Sequence, residues 1–216
     1  MQGALDRGGL GVLLTVGRRM EKLAPMRSAL IVGDLQAGIL DNYPFTKAVV
    51  PPVTELLPRA RAAGVLVVFV RTAFRANGAD LAGEVFAAFH RAGDFFHEGS
   101  PGTEVALEVT ADDVVVLKRR TSAFAGTDLD LVLRARGVDS IALTGVATSA
   151  MVAATLYDAS DRGYRLTVLR DGCADQDPAV HELLVNTVFP SRGAEILTCA
   201  EWPAPSRTSG ARTAPR

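Results

Sequence analysis

The chain has 216 residues, of which 48% are hydrophobic and 22% charged, and its formal net charge is −1. This composition is typical of a globular protein with a single large core, and a chain of this size needs no disulfide or metal for stability. The near-neutral charge provides no basic surface of the kind that binds a phosphate backbone, so it argues against nucleic acid as a partner.

The two ends of the chain differ in composition from its middle. The apolar run 10–16 is too short to span a bilayer and lacks a small-residue cleavage site, so it predicts neither a membrane anchor nor a signal peptide. Because internal methionines stand just before the first convincing strand, residues 1–25 are interpreted as a poorly ordered extension. Residues 203–216 are rich in Pro, Ser, Thr, Gly and Arg, which predicts a disordered tail. One domain, 26–202, remains.

Short apolar runs alternate with helical stretches along this domain, which is typical of βαβ units and a parallel sheet. Six continuous apolar runs predict strands covered on both faces: 28–35, 65–71, 114–118, 140–145, 165–170 and 194–198. Apolar residues at three- and four-residue spacing predict helices near 53–63, 82–91, 128–136, 149–162 and 178–189. The predicted fold is an α/β, doubly wound three-layer sandwich with a mostly parallel six-stranded sheet.

Thiols and imidazoles are few and scattered. Cys173 and Cys199 show no CxxC spacing, which favours reduced thiols and a cytoplasmic protein. His90, His97 and His181 form no HxH or HxxxH pair, and metal sites need such donors close together. The sequence therefore predicts no metal and no cofactor.

In an open parallel sheet the ligand lies beyond the carboxyl ends of the strands. Asp34 and Lys118 stand at such ends, each after a buried apolar run, where a charge is costly unless it is paired or used. They predict an acid–ammonium pair in a cleft, which serves either proton transfer or structure alone. The same rule selects four arginines, 71, 75, 119 and 120, as candidates for binding a substrate carboxylate, with solvated surface arginines as the alternative. Residues 94–102 are a candidate lid, or an ordinary loop.

Three stretches carry a resemblance to a known family: Asp34-Leu35-Gln36, Lys118-Arg119-Arg120-Thr121-Ser122-Ala123-Phe124 and Gly145-Val146-Ala147-Thr148-Ser149-Ala150-Met151-Val152. Their order and spacing resemble the isochorismatase-like hydrolases, which include cysteine amidohydrolases, nicotinamidases and isochorismatases. The resemblance extends over about 27–200 through Thr155, Asp158, 171–174 and His181. It implies a hydrolase of small molecules that forms a homodimer or higher homo-oligomer, and the composition adds no membrane or nucleic-acid partner.

The resemblance also implies roles for individual residues. In the cysteine members the nucleophile stands where this chain has Met151, with an acid at Asp34 and a lysine at Lys118. A thioether forms no thiolate, so the covalent route is not transferable. Isochorismatases also lack the thiol and use the acid while water adds to the substrate, but their loop resembles Gly-Val-Tyr-Ala-His, unlike 145–149 here. Met151 alternatively packs as core.

The turn from the fourth strand into the next helix predicts backbone N–H groups for an oxyanion at Ala147, Ala150 and Met151. By resemblance, a non-proline cis peptide joins Val146 to Ala147. Three further residues are candidates for the substrate pocket: Gln36, Phe124 and Thr148. For an aromatic side chain such as Phe124, core packing is the alternative.

These residues leave three alternative functions open. The first is a cofactor-free hydrolase in which Asp34 assists attack by water on a small polar metabolite and Lys118 stabilises charge. The second is a catalytically silent homologue that binds a small ligand or contributes to an assembly. The third is covalent amidase chemistry at Cys173, which requires an activated thiol.

Overall fold

A computed structural model describes residues 27–203, so the predicted extension 1–25 and all but the first residue of the predicted tail lie outside the described residues. The six predicted strands are all present and every pairing is parallel, in the order β3-β2-β1-β4-β5-β6. They are β1 Ser28–Gly33, β2 Leu66–Thr72, β3 Val114–Lys118, β4 Ser140–Val146, β5 Arg165–Ala174 and β6 Glu195–Leu197. The predicted fold class is confirmed, since a parallel sheet is covered on both faces.

The five predicted helical regions are also present. The helices are α1 Ala37–Asn42, α2 Val50–Ala62, α3 Gly83–Ala92, α4 Leu129–Ala135, α5 Ala153–Asp161, α6 Pro178–Leu183 and α7 Phe189–Ser191. A π-helical turn, Thr148–Val152, leads into α5, and a second one joins α6 to α7. The sequence did not predict α1, because one six-residue turn without a side-chain cap has no readable period. Within 27–203 no helix is long and apolar enough to cross a membrane.

The core forms two layers, one on each face of the sheet. Alternate residues of β1 enter opposite layers, because side chains of a strand point to opposite faces. Ala29 and Ile31 pack with α4 and α5, whereas Leu30 and Val32 pack with α2. The strand order reverses between β1 and β4, so the crevice at their carboxyl ends is where this fold places a ligand.

Candidate active site

Asp34 is the first residue after β1 and has a left-handed backbone, with φ 58°. Short polar residues such as Asp tolerate this region better than most. The backbone N–H of Asp34 donates to the carbonyl of Val70 at 2.8 Å, which ties the turn to β2. The turn brings the carboxylate to the ends of β2 and β3.

A closed triangle of polar contacts surrounds this carboxylate. Lys118 Nζ lies 2.8 Å from Asp34 Oδ2 and donates to Thr72 Oγ1 at 2.6 Å. The Thr72 hydroxyl in turn donates to Asp34 Oδ1 at 2.9 Å. Only 7% of Asp34 and 3% of Lys118 is exposed, so the charges compensate each other away from water. The predicted ion pair is therefore present, at the predicted edge of the sheet.

Sequence reasoning missed Thr72. The residue is buried and pairs with Lys118 in the register between β2 and β3, which places its hydroxyl between the two charges. A threonine at the end of a β-branched strand has no distinctive signal in the sequence. Only the strand register shows that it contacts the acid and the lysine.

A cavity of about 330 Å³ opens directly above the triangle. Asp34, Thr72 and Lys118 form its polar part. Much of its remaining wall is aromatic: Tyr43, Phe45, Phe86, Phe89 and Phe96. Phe96 comes from the candidate lid 94–102. The other four aromatic residues lie in α3 and in the segment after α1, and the sequence did not predict them as part of the site. The cavity suits a small ligand with an apolar part and a polar reacting group.

The loop after β4 also lines the cavity. Its Val146–Ala147 peptide is cis, as the resemblance implied. Ala147, Ala150 and Met151 all line the cavity, and the oxyanion role of their N–H groups stays a prediction. However, the Ala150 N–H donates to the Ala147 carbonyl at 3.2 Å, so it would have to leave this bond to hold an anion. The Ser149 N–H donates to Asp175 Oδ2 at 2.7 Å.

Met151 lines the cavity, yet only 1% of its surface is exposed. The Thr155 hydroxyl donates to its sulfur at 3.6 Å. The core-packing interpretation therefore describes its side chain well, and no thiol stands at this position.

The three pocket candidates do not line this cavity. Gln36 is fully buried and its amide bonds both the N–H and the carbonyl of Thr72, at 2.8 and 3.0 Å, so its polar atoms support the triangle instead. Thr148 is equally buried, with its hydroxyl 2.9 Å from His181 Nδ1. These two assignments to the pocket wall were wrong, because the polar groups of both side chains are hydrogen-bonded to other residues of the protein.

Phe124 was also wrongly assigned to the pocket. Its ring stacks on Tyr164, with centroids 6.0 Å apart, and the Arg162 guanidinium lies over it. The Ala123 N–H donates to Thr155 Oγ1 at 3.0 Å, which holds this segment against α5, where Phe124 packs in the core. The alternative of ordinary core packing applies.

The four candidate arginines bind groups of the protein. Arg119 contacts Asp80 at 2.9 Å and Glu98 at 2.8 Å, while Arg75 also pairs with Asp80. Arg71 donates to the Thr103 carbonyl, and Arg120 donates to the Asp80 carbonyl. None of the four lines the cavity. Through Glu98, Arg119 instead ties the segment 94–102 to the end of β3, next to Lys118.

Residues 27–203 do not support a metal site or a cysteine nucleophile as the functional site. No group of three His, Cys, Asp or Glu side chains in this part of the chain is placed to hold a metal. Cys173 is buried in the core, where burial raises the pKa of its thiol to about 12. Two larger depressions, of about 460 and 550 Å³, open at the opposite edge of the sheet, where the strands begin, and neither includes Asp34 or Lys118.

A family model described as the isochorismatase domain matches residues 28–201. The chain belongs to the isochorismatase family. An uncharacterized isochorismatase family protein of Escherichia coli O157:H7 is 34% identical over 174 residues, covering 79% of this chain and 92% of that protein. Ureidoacrylate amidohydrolase of Acinetobacter baylyi is 30% identical over 198 residues, covering 80% and 81%.

The crystal structure of a cysteine hydrolase from Pseudomonas syringae pv. phaseolicola 1448A has a TM-score of 0.75 to this isochorismatase family member. The two chains are 32% identical, over 83% of this chain and 92% of the other. The predicted family and its hydrolase class are thus confirmed. The homo-oligomer implied by the resemblance stays a prediction.

The contact between Thr148 and His181 leads to a prediction about pH. Burial lowers the pKa of His181, so the folded protein binds its proton less readily than the unfolded chain does near pH 6.5. The stability contributed by neutral His181 is present above about pH 6.5 and is lost as pH falls below it. Urea unfolding at pH 7.5 and 5.5 should show a smaller decrease for His181→Gln than for wild type. An equal decrease in both proteins would show that His181 does not cause this pH dependence of stability.

Proposed function

We propose that this chain hydrolyses a small amide- or ureide-like metabolite by non-covalent attack of water, assisted by Asp34. The observation that carries the proposal is the buried triangle of Asp34, Thr72 and Lys118 at the base of an aromatic cavity, beside a thioether rather than a thiol. A carboxylate held by two donors has a defined position for proton transfer.

The proposed chemistry uses the acid twice. Asp34 accepts a proton from water as the water oxygen bonds to the substrate carbonyl carbon, and it then delivers that proton to the leaving nitrogen as the carbon–nitrogen bond breaks. The products are an amine and either a carboxylic acid, when the substrate is an amide, or a carbamic acid, when it is a ureide. Lys118 and Thr72 keep the carboxylate aimed at the cavity, where 2.8 and 2.9 Å contacts hold its two oxygens.

The developing oxyanion needs donors on the opposite side of the substrate. The loop containing Ala147 and Met151 supports this role, because it lines the same cavity as the triangle. The similarity to a ureidoacrylate amidohydrolase supports an amide or ureide as the substrate class. The aromatic wall supports a substrate with an apolar or conjugated part next to the bond that breaks.

Turnover of a panel of small amides, ureides and enol ethers, isochorismate included, tests the proposal by mass spectrometry. We expect an amide to yield its carboxylic acid, or a ureide to yield an amine and a carbamic acid that releases CO₂, with one oxygen from ¹⁸O-labelled water entering the acid or the carbamic acid in each turnover. Trapping a covalent acyl-protein adduct at any residue would contradict the non-covalent route. If no compound in the panel reacts, the silent ligand-binding homologue becomes the better description.

A thiol reagent should not inhibit this hydrolysis. Cys173 and Cys199 are both buried, and burial raises the pKa of both thiols, to about 12 for Cys173. The thiolate that reacts with iodoacetamide is therefore scarce at neutral pH. We expect turnover to stay within about twofold of the untreated rate after an hour with the reagent. Inactivation that follows alkylation of Cys173, located by peptide mass spectrometry, would instead support the covalent amidase.

A further inference from the structure

Gly33, the last residue of β1, is a glycine that the backbone does not require. It pairs with Val70 on one side and with Gly145 on the other, in ordinary strand register. Its φ lies outside the left-handed region, so any L residue could adopt this backbone. Glycine inside a strand weakens it, because the unfolded chain gains conformational freedom. A requirement other than backbone conformation must act here.

The place of the missing side chain is filled by Met151. A Cβ built on Gly33 would overlap the ε-methyl of Met151 and would lie 2.6 Å from its Sδ and 3.2 Å from its Cγ. These are its three nearest atoms, and all belong to one thioether. A side chain at position 33 and Met151 in its present rotamer therefore exclude each other.

The far side of the thioether is held as well. The Thr155 hydroxyl donates to Met151 Sδ at 3.6 Å and accepts from the Ala123 N–H at 3.0 Å. Thr155 is fully buried, so this side offers no space into which the thioether could move. The open volume next to Met151 is the cavity that it lines, beside Asp34.

We infer that Gly33 shapes the floor of the cavity: its missing side chain leaves a space, here called the seat, that holds the Met151 thioether and keeps it out of the cavity. A side chain at position 33 would push the ε-methyl toward the triangle of Asp34, Thr72 and Lys118 and reduce the volume left for substrate. The shape of the cavity floor thus depends on a residue that has no side chain of its own. The inference concerns the site of the proposed function, but its test requires no turnover.

The first measurement compares Gly33→Ala in two backgrounds. In the Met151 protein the added methyl overpacks the seat, and the melting temperature should fall by about 4–10 °C. In the Met151→Ala protein the seat is empty, so alanine should raise the melting temperature by about 1–3 °C by restricting the unfolded chain. This change of sign is the signature of a shared space. If Gly33→Ala alone fails to fold, recovery of the fold in the double variant shows the same thing.

The second measurement is oxidation of Met151 by hydrogen peroxide, followed by peptide mass spectrometry well below the melting temperature. The seated thioether should react slowly, whereas in Gly33→Ala it should react about tenfold faster, since sulfoxide formation follows exposure. Leu133→Ala, a buried residue of α4, is the control for destabilisation without loss of the seat. Equal oxidation rates in these two variants, or the same Gly33→Ala effect in both backgrounds, would overturn the inference.

Discussion

Asp34→Asn is expected to lower turnover by about 10²- to 10⁴-fold, the usual contribution of a positioned acid–base group. Asparagine keeps the volume of the side chain, but its single carbonyl oxygen can accept from only one of the two donors, Thr72 and Lys118, that now hold the two carboxylate oxygens at 2.9 and 2.8 Å. It cannot take a proton from water. Rates on the reactive member of the substrate panel, with circular dichroism to verify folding, provide the measurement.

The same substitution leaves Lys118 as a buried ammonium without a carboxylate, which costs up to about 3–5 kcal/mol of stability. The double variant Asp34→Asn, Lys118→Met removes both charges and should recover part of this loss while turnover stays low. Asp113→Asn is the matched control, because it breaks a 2.7 Å ion pair with Arg61 at the opposite edge of the sheet. Asp113→Asn should lose stability but keep turnover. Full turnover in Asp34→Asn would remove Asp34 from the mechanism.

Gly145→Ala should be among the most destabilising single methyl additions in the chain, with a loss of at least about 4 kcal/mol or no folded protein at all. Gly145 has φ +124° in β4, and a Cβ there would lie 2.7 Å from the backbone nitrogen of Gly33 and 2.8 Å from its carbonyl carbon. These are backbone atoms of the neighbouring strand, so they cannot rotate away. The clash would separate β1 from β4 beneath Asp34.

Gly163→Ala is the matched control for Gly145→Ala. It also has a left-handed φ, +80°, but nothing lies within 4 Å of its added Cβ. It should therefore cost only the conformational strain of about 1–2 kcal/mol. Urea unfolding of both variants measures the difference. Similar losses would mean that β1 and β4 separate easily and that the close approach is unimportant.

Much of the fold could be predicted from the sequence, because continuous apolar runs of five to eight residues separated by helical periods describe a covered parallel sheet. Asp34 and Lys118 could be predicted for a related reason. A charge directly after such a run must lie at the carboxyl edge, and two such charges of opposite sign tend to pair. The parallel sheet and the Asp34–Lys118 pair could both be predicted because each depends on a short stretch of sequence.

The pocket wall could not be predicted in the same way. Phe124 and Phe96 both follow strands or loops near the site, yet one packs against Tyr164 in the core and the other lines the cavity. Gln36 lies two residues after Asp34, but its side-chain amide is hydrogen-bonded to the backbone of Thr72 and does not face the cavity. Which layer a loop side chain enters depends on hydrogen bonds made by distant segments, and no local pattern records them.

The sequence by itself thus indicated which strands carry the polar site residues: an acid after β1 and a lysine at the end of β3. It also places methionine in the loop after β4, at the position where the resemblance to cysteine hydrolases implies a thiol nucleophile. Only the tertiary structure decided that Thr72 joins the acid to the lysine, that aromatic side chains of α3 close the cavity, and that Met151 rests on Gly33. These contacts join residues that are 38 to 118 positions apart, and the register between strands sets their distances. Burial patterns are written along the chain, whereas proximity across strands arises only when the sheet forms.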